Sequence, residues 1–454
     1  MPEPPLRRNR VRRHLAVCTV AVLVAAVPAA GCAPSPALPP ESAETGVSIP
    51  VTTAPGLRAK QTMDMLNSDW PIGPVGVRTL AAPAKVDQVV TTMESLWWDR
   101  PFRVSSVDIG AGTATLHLMT SYGARQNIKI RTDDAGMVET FKPSTEPPRI
   151  RSWHDVDTVL SRTGARYSYQ AARVDGGVCK PVAGVNTTQP LPLASIFKLY
   201  VLLAVADEVK AHRVSWDDPL TITGRAKVVG SSGLEELPDG AHVSVRTAAE
   251  KMIATSDNMA TDLLIGRVGK RAVEHALAVA GHHDPAAMTP FPTMYEMFSI
   301  GWGKPDLREQ WQHGSPQQRA ALLKDADSRP YDPDPLRAHV PASKYGAEWY
   351  GSAADICRVH VALQRGATGA AAPVREILSA VRGIDLSREQ WPYVGAKAGG
   401  LPGDLTFSWY AIDRGGQPWV VSFQLNWDRD HGKSVGSWML QVARQAFALL
   451  PAKH

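Results

Sequence analysis

The stretch Leu191-Pro-Leu-Ala-Ser-Ile-Phe-Lys-Leu-Tyr-Val-Leu-Leu-Ala-Val-Ala206 limits what this chain can become more than any other. Leu199 to Ala206 is apolar on every side, so a helix made from it must be buried all round, at the centre of a core. Pro192 just upstream is a helix-start signal. Ser195 then falls in the first turn, and Lys198 on the same face one turn later. A lysine in such surroundings is costly unless it has a partner or a task. An amine beside a serine hydroxyl is one way to make a weak hydroxyl into a nucleophile.

The chain has 454 residues, enough for two or three domains, and its 44% hydrophobic and 20% charged content is that of a globular protein. Its formal net charge is +5. Arg7, Arg8, Arg10, Arg12 and Arg13 against Glu3 put +4 of that in residues 1–31, leaving about +1 for the remainder. So small a basic excess argues against a nucleic-acid-binding surface.

The basic excess belongs to a leader. Residues 1–14 are basic, Leu15 to Ala30 are almost wholly apolar, and Gly31 and Cys32 follow. A charged head, an apolar core and small residues before a cut make residues 1–31 a signal peptide, too short in its apolar part for a membrane span. Ala29-Ala30-Gly31-Cys32 resembles a bacterial lipobox, with Ala29 in place of the commoner leucine, and implies lipidation at Cys32. Several acyl chains on one residue would hold the chain at the membrane, on its extracytoplasmic side. Residues 32–56, rich in Pro, Ala, Ser and Thr, read as a tether. Cys179 and Cys357 remain for the folded part. Cys357 lies in an apolar helical pattern and reads as a buried thiol; pairing with Cys179 in an oxidising compartment is the alternative.

Residues 57–145 read as a small α+β domain. Val86, Val89, Val90, Met93 and Leu96–Trp97 recur at helical spacing, and Leu57 to Asp69 is a second helical stretch. Four short strands follow, near 102–108, 113–119, 127–131 and 137–141, separated by Gly110/Gly112, Gly123 and Asp133-Asp-Ala-Gly136. The shape is cystatin-like or NTF2-like, which carries no function by itself. His117 reads as a packed core histidine. Residues 143–148 read as the linker out. No catalytic set is present, so this domain binds, spaces or packs, and offers a surface to an envelope protein partner.

From about residue 150 the character changes. Trp153 to Ser161 is helical, strands follow near 167–174 and 178–185, and then comes the Ser195 helix. A lone Ser-x-x-Lys is weak evidence, but two later stretches join it. In Ser244 to Ile265 one helix ends near Thr255, Ser256-Asp257-Asn258 turns the chain, and another helix begins. Alone, Ser-Asp-Asn is a cap-and-turn signal. In Val394-Gly-Ala-Lys-Ala-Gly-Gly400, Lys397 would point off an edge strand beside glycines, where a backbone can approach a ligand closely.

Ser-x-x-Lys, Ser-Asp-Asn and Lys-x-Gly in that order resemble the signature of the class A β-lactamases and penicillin-binding proteins. The resemblance covers residues 150–454, and with the lipobox and small first domain the whole chain is similar to actinobacterial LpqF-type lipoproteins. It implies an α+β fold: an antiparallel sheet flanked by helices, plus a helical lobe with a cleft between. It implies a lipid-anchored envelope serine hydrolase, acting without a metal or other cofactor. The substrate would be a small molecule or cell-wall peptide: an amide or ester, or a poorly turned-over β-lactam. Ser195 would be acylated, Lys198 would take its proton, and Ser256 would pass a proton to the leaving group. Asn258 would hold the substrate amide, and Lys397 would set the field. The N–H groups of Ser195 and Gly400, with Gly399 beside them, would receive the oxyanion. A non-catalytic or sensor-type binding lipoprotein on the same fold is the alternative.

Three departures and one further candidate bear on that resemblance. Ala398 stands where the family has a hydroxyl that helps to bind the substrate's carboxylate. Glu296, in Pro290 to Ile300, is the candidate for activating the deacylating water, but Ile300 stands where an Asn would follow. Ser232 is a candidate on the cleft wall. Gly301 to Tyr350 is long and rich in Trp and Pro, and reads as a lid.

Overall fold

The computed structural model describes residues 47–227 and 233–450. The leader, Cys32 and Ser232 lie outside them. These described residues fall within one compact unit. Among the described residues no helix is long and apolar enough to cross a membrane.

The first part is two long helices, with a short turn of helix at Pro74–Val77 between them, over a four-stranded meander. Thr53 caps the first helix, α1 (Ala54–Leu66), so the helix starts inside the stretch expected to be tether. Helix α2 (Val86–Trp97) buries Val89, Val90, Met93 and Leu96, the stripe its spacing demands. Strands β1 (Arg103–Gly110), β2 (Thr113–Met119), β3 (Arg125–Thr132) and β4 (Val138–Thr145) lie side by side in that order, all antiparallel. Ala114, Leu116 and Leu118 of β2 face the helices. His117 is the odd position of that alternation, so it stands on the outer face between Asp108 and Asn127 and not in the core. Strand β4 runs into the expected linker; as an edge strand it tolerates Pro143.

The second part has a five-stranded antiparallel sheet: β5 (Arg166–Asp175), β6 (Val178–Val185), β7 (Tyr393–Leu401), β8 (Asp404–Ile412) and β9 (Pro418–Asn426), in spatial order β7-β8-β9-β5-β6. Helix α3 (Trp153–Ser161) and the last helix, Lys433–Ala448, cover one face, over a core of Trp409, Trp419, Phe423, Trp438 and Phe447. Helix Ala353–Gly366 covers the other and leads into the helical lobe. At the centre of that lobe is α4 (Lys198–Lys210), where Leu199 to Ala206 are each at most 2% exposed, as an all-apolar run requires.

Two expectations change. Cys179 of β6 and Cys357 of the covering helix form a disulfide, so Cys357 is not a free thiol; the helix packs on β5 and β6 and brings the two together. Much of Gly301 to Tyr350 is core and not lid, because Trp302, Trp311 and Trp349 are buried and Trp349 stacks on Phe197 at 3.9 Å.

Candidate active site

Pro192 does not start the helix. It lies in a two-residue strand paired with Tyr350–Gly351, and Leu193 and Ala194 make the turn, Ala194 in the left-handed region at φ 43°. A 3-10 turn, Ala194–Phe197, then feeds α4. Half-buried Ser195 therefore sits at the free N–H end of a 13-residue helix, and Lys198 is that helix's first residue.

Ser256 meets them from a neighbouring loop. Helix α5 (Val245–Ala254) ends, and helix α6 (Asn258–Val268) begins four residues later. Asp257 caps α6 by accepting from Ala260 N at 2.8 Å, the bland reading of Ser-Asp-Asn. Its neighbours are used differently. Ser256 is held at φ 59°, which costs a non-glycine residue about 1–2 kcal/mol. Lys198 Nζ donates to Ser256 O at 2.5 Å and to Asn258 Oδ1 at 2.7 Å, and lies 3.2 Å from Ser256 Oγ. From the opposite side Lys397 Nζ donates to Ser256 Oγ at 3.0 Å and to Ala398 O at 2.6 Å.

Burial holds Lys198 well below the usual lysine range, and the charge of Lys397 adds to it. The helix N-terminus works in the same direction. Burial brings Lys397 down to about 7. A neutral Lys198 has two N–H bonds and one lone pair. Its two short contacts are to acceptors with no proton to give, so both N–H bonds are used there. The lone pair is left for a hydroxyl, which makes Nζ a base.

The edge strand β7 closes the site. A Cβ at Gly399 would come within 2.6 Å of Ser195 N and of Thr406 Oγ1, so only glycine lets the strand approach. Gly400 is next along it.

The sequence reading missed three supports. Thr406 of β8 donates to Leu193 O at 2.9 Å and tethers the Ser195 turn to that strand, beside its β7 partner Gly399. Ser408 donates to Lys397 O at 3.1 Å, with His360 Nε2 at 2.9 Å behind it. Asp262 accepts from Met294 N and Tyr295 N and so caps helix α7 (Met294–Trp302); burial pushes it up to about 7, and it faces both Lys198 and Glu296. A serine or threonine inside an apolar strand, and a carboxylate one turn past Asn258, were the available signals.

Glu296 is buried, bonded to Lys270 Nζ at 2.5 and 2.6 Å and to Thr293 in a capping box; Ile300 is fully buried. Elsewhere His282, His283 and Asp355 place one donor atom each within 4.8 Å of one another. Asp355 already accepts from Ser352 and His283, and both His282 ring nitrogens are bonded to backbone, so the cluster reads as a helix cap.

Residues 152–326 match the family model described as the beta-lactamase enzyme family, and residues 49–138 match that of the ORF 12 gene product N-terminal. No curated protein matches the chain. Among solved structures it is similar to the β-lactamase from Sphaerobacter thermophilus, at 21% identity over 66% of this chain and 100% of that one (TM-score 0.46). It is similar to PBP-A at 15% identity over 68% and 100% (TM-score 0.45). It is also similar to a class A β-lactamase described as the last common ancestor of Gram-negative bacteria, at 17% over 65% and 98% (TM-score 0.47). The matched family segment holds Ser195, Lys198, Ser256, Asn258 and Glu296; Lys397 to Gly400 lie beyond it. The fold is β-lactamase-like, and at the level of that family it points to serine hydrolase chemistry.

Proposed function

We propose that this chain is a serine hydrolase that forms an acyl-enzyme on Ser195 from an amide or ester: a cell-wall peptide, a simple ester, or a β-lactam that it turns over poorly. The observation that carries this is the hydrogen-bond chain Lys198–Ser256–Lys397 at the N-terminus of the Ser195 helix.

Neutral Lys198 takes the Ser195 proton as Oγ attacks the carbonyl. The oxyanion forms between the N–H groups of Ser195 and Gly400, where a helix N-terminus supplies free donors. Lys198 then returns its proton through Ser256 Oγ to the leaving group as the carbon–leaving-group bond breaks. Asn258 presents its amide to the substrate, and Lys397 supplies positive potential. Water completes the reaction by hydrolysing the acyl-enzyme. Glu296, the candidate for activating that water, is already engaged by Lys270 and Thr293. The same observation favours the second reading, a binding or sensor protein acylated rarely.

The chain would act at the extracytoplasmic side of the cell membrane, held by acyl chains on Cys32, as a member of an LpqF-type lipoprotein group. Residues 57–145 would meet an envelope partner; Trp70 and Val75, 82% and 80% exposed, offer apolar contact there.

Intact-mass spectra of the protein extracted from membranes test both parts. Exposure to labelled penicillin and to activated esters is expected to add an acyl mass at Ser195 that Ser195→Ala abolishes, and the N-terminal peptide is expected to begin at an acylated Cys32. An unmodified Ser195 with every reagent would remove the hydrolase reading, and an unlipidated N-terminus would remove the anchor.

A further inference from the structure

Two cavities open along the edge strand β7. One, of about 480 Å³, adjoins Gly400 and Leu401. The other, of about 190 Å³, is lined by Ser256 and Lys397 together with Ile253, Val381, Ala398 and Phe407. Since Ser256 is the group that hands the proton to the departing atom, the smaller cavity is on the leaving-group side.

Its chemistry is specific. Ala396 and Ala398 share one face of the strand, opposite Trp409 and Phe407 of β8, and all four line the cavity. Among the described residues lining it, Lys397 is the sole cation, and two of its N–H bonds are spent on Ser256 Oγ and Ala398 O. Arg382 lies between two lining residues, yet its guanidinium donates to Trp391 O at 2.8 Å and does not line the space. At position 398, which faces solvent at the mouth, a methyl group stands with no hydroxyl. A carboxylate placed here would lose its hydration and gain one remaining ammonium N–H and the Ser256 hydroxyl, the same hydroxyl that the proton relay to the leaving group needs. An apolar ring would replace water against Phe407, Val381 and Ile253. A cavity of about 150 Å³ is known to hold benzene, so the volume is right for one ring.

We propose that the cavity beside Ser256 takes an uncharged, ring-sized apolar leaving group, so that preferred substrates are esters or amides whose departing alcohol or amine carries no carboxylate. This rests on the acyl-enzyme reading above. In the step, the Ser195 Oγ–carbon bond forms and the carbon–oxygen bond to the departing aryl or alkyl group breaks. The Ser195 proton ends on the released alcohol by way of Lys198 and Ser256, and water later releases the acid.

The test uses the full-length protein in detergent with three acetate esters: phenyl, 3-carboxyphenyl and methyl. The phenyl ester is expected to exceed the carboxyphenyl ester in kcat/KM by about tenfold or more, the discrimination one apolar pocket can give. Ala398→Leu, a change at an exposed position, is expected to lower the phenyl-to-methyl ratio at least about fivefold by filling the space. Ala398→Ser is expected to narrow the phenyl-to-carboxyphenyl ratio. Acylation of Ser195 with no discrimination, or with preference for the carboxylated ester, overturns the proposal and leaves the hydrolase reading standing. Absence of any Ser195 adduct removes the hydrolase reading and the proposal together.

Discussion

Lys397 shows what a functional charge costs when it is buried. Its pKa falls from 10.5 to about 7, caused by loss of hydration. The unfolded chain therefore holds a proton that the folded chain releases between about pH 7 and 10.5. The cost is greatest at and below pH 7 and fades as pH rises through that window. Lys397→Met is thus expected to be more stable than the parent by about 1–3 kcal/mol at pH 6, after allowing for the two acceptors it leaves, with the gap closing towards pH 10. Urea midpoints across pH measure this, and a gap that widens with pH would contradict it. Function runs the other way. Positive charge on Lys397 helps to keep Lys198 neutral and favours the oxyanion. Acylation should therefore decline above about pH 7, and in Lys397→Arg that limb should disappear, because a guanidinium stays charged. A limb unmoved by the substitution would assign it to another group.

At the scale of elements, local pattern was legible and long-range closure was not. The all-apolar α4, the strands near 113–119 and 178–185 and the helix 153–161 follow from spacing alone. Ser195, Lys198, Ser256 and Lys397 were readable because each sits in a short motif that places it on its own element. Thr406 and Ser408 were not, because their task depends on which strand pairs with β7 and in what register. The left-handed turns at Ala194 and Ser256 were unreadable too, since neither residue prefers that conformation. Cys179 and Cys357 lie 178 residues apart, a distance no local pattern bridges. Their bond ties outer strand β6 to the helix on the sheet's other face. Closing so long a loop in the unfolded state stabilises by about 3–5 kcal/mol. Reductant should lower the unfolding free energy from urea titration by that amount, and the midpoint with it, in the parent and have no effect on Cys179→Ser. Equal midpoints with and without reductant would show the cross-link idle.

For the whole molecule the question is whether the first sheet is an appendage or part of the frame of the β-lactamase-like fold. The contacts favour the second. Tyr122, fully buried in the loop after β2, belongs to the same apolar cluster as Trp438 and Ala443 of the last helix, and its hydroxyl meets Ser434. Asp99 accepts from Gly432 N at 2.8 Å and from Ser434, so it caps that helix from outside the sheet the helix covers. Arg429 donates to Trp98 O at 2.6 Å, and Trp98 stacks on His339, which lines the cavity next to Gly400. The junction is tight: a Cβ on Gly432 would stand 2.2 Å from Ser95 O, a backbone atom that cannot swing aside. Gly432→Ala must therefore push α2 (Val86–Trp97) and the last helix apart, at a cost of about 2–4 kcal/mol. If the two sheets are one cooperative unit, calorimetry of the parent shows a single transition, and Gly432→Ala moves that whole transition down by several degrees. If they fold independently, the trace splits, and the substitution separates the two peaks without lowering both. The first outcome would make the first sheet a structural wall of the cleft, because losing its hold on Trp98 would also release His339 beside Gly400.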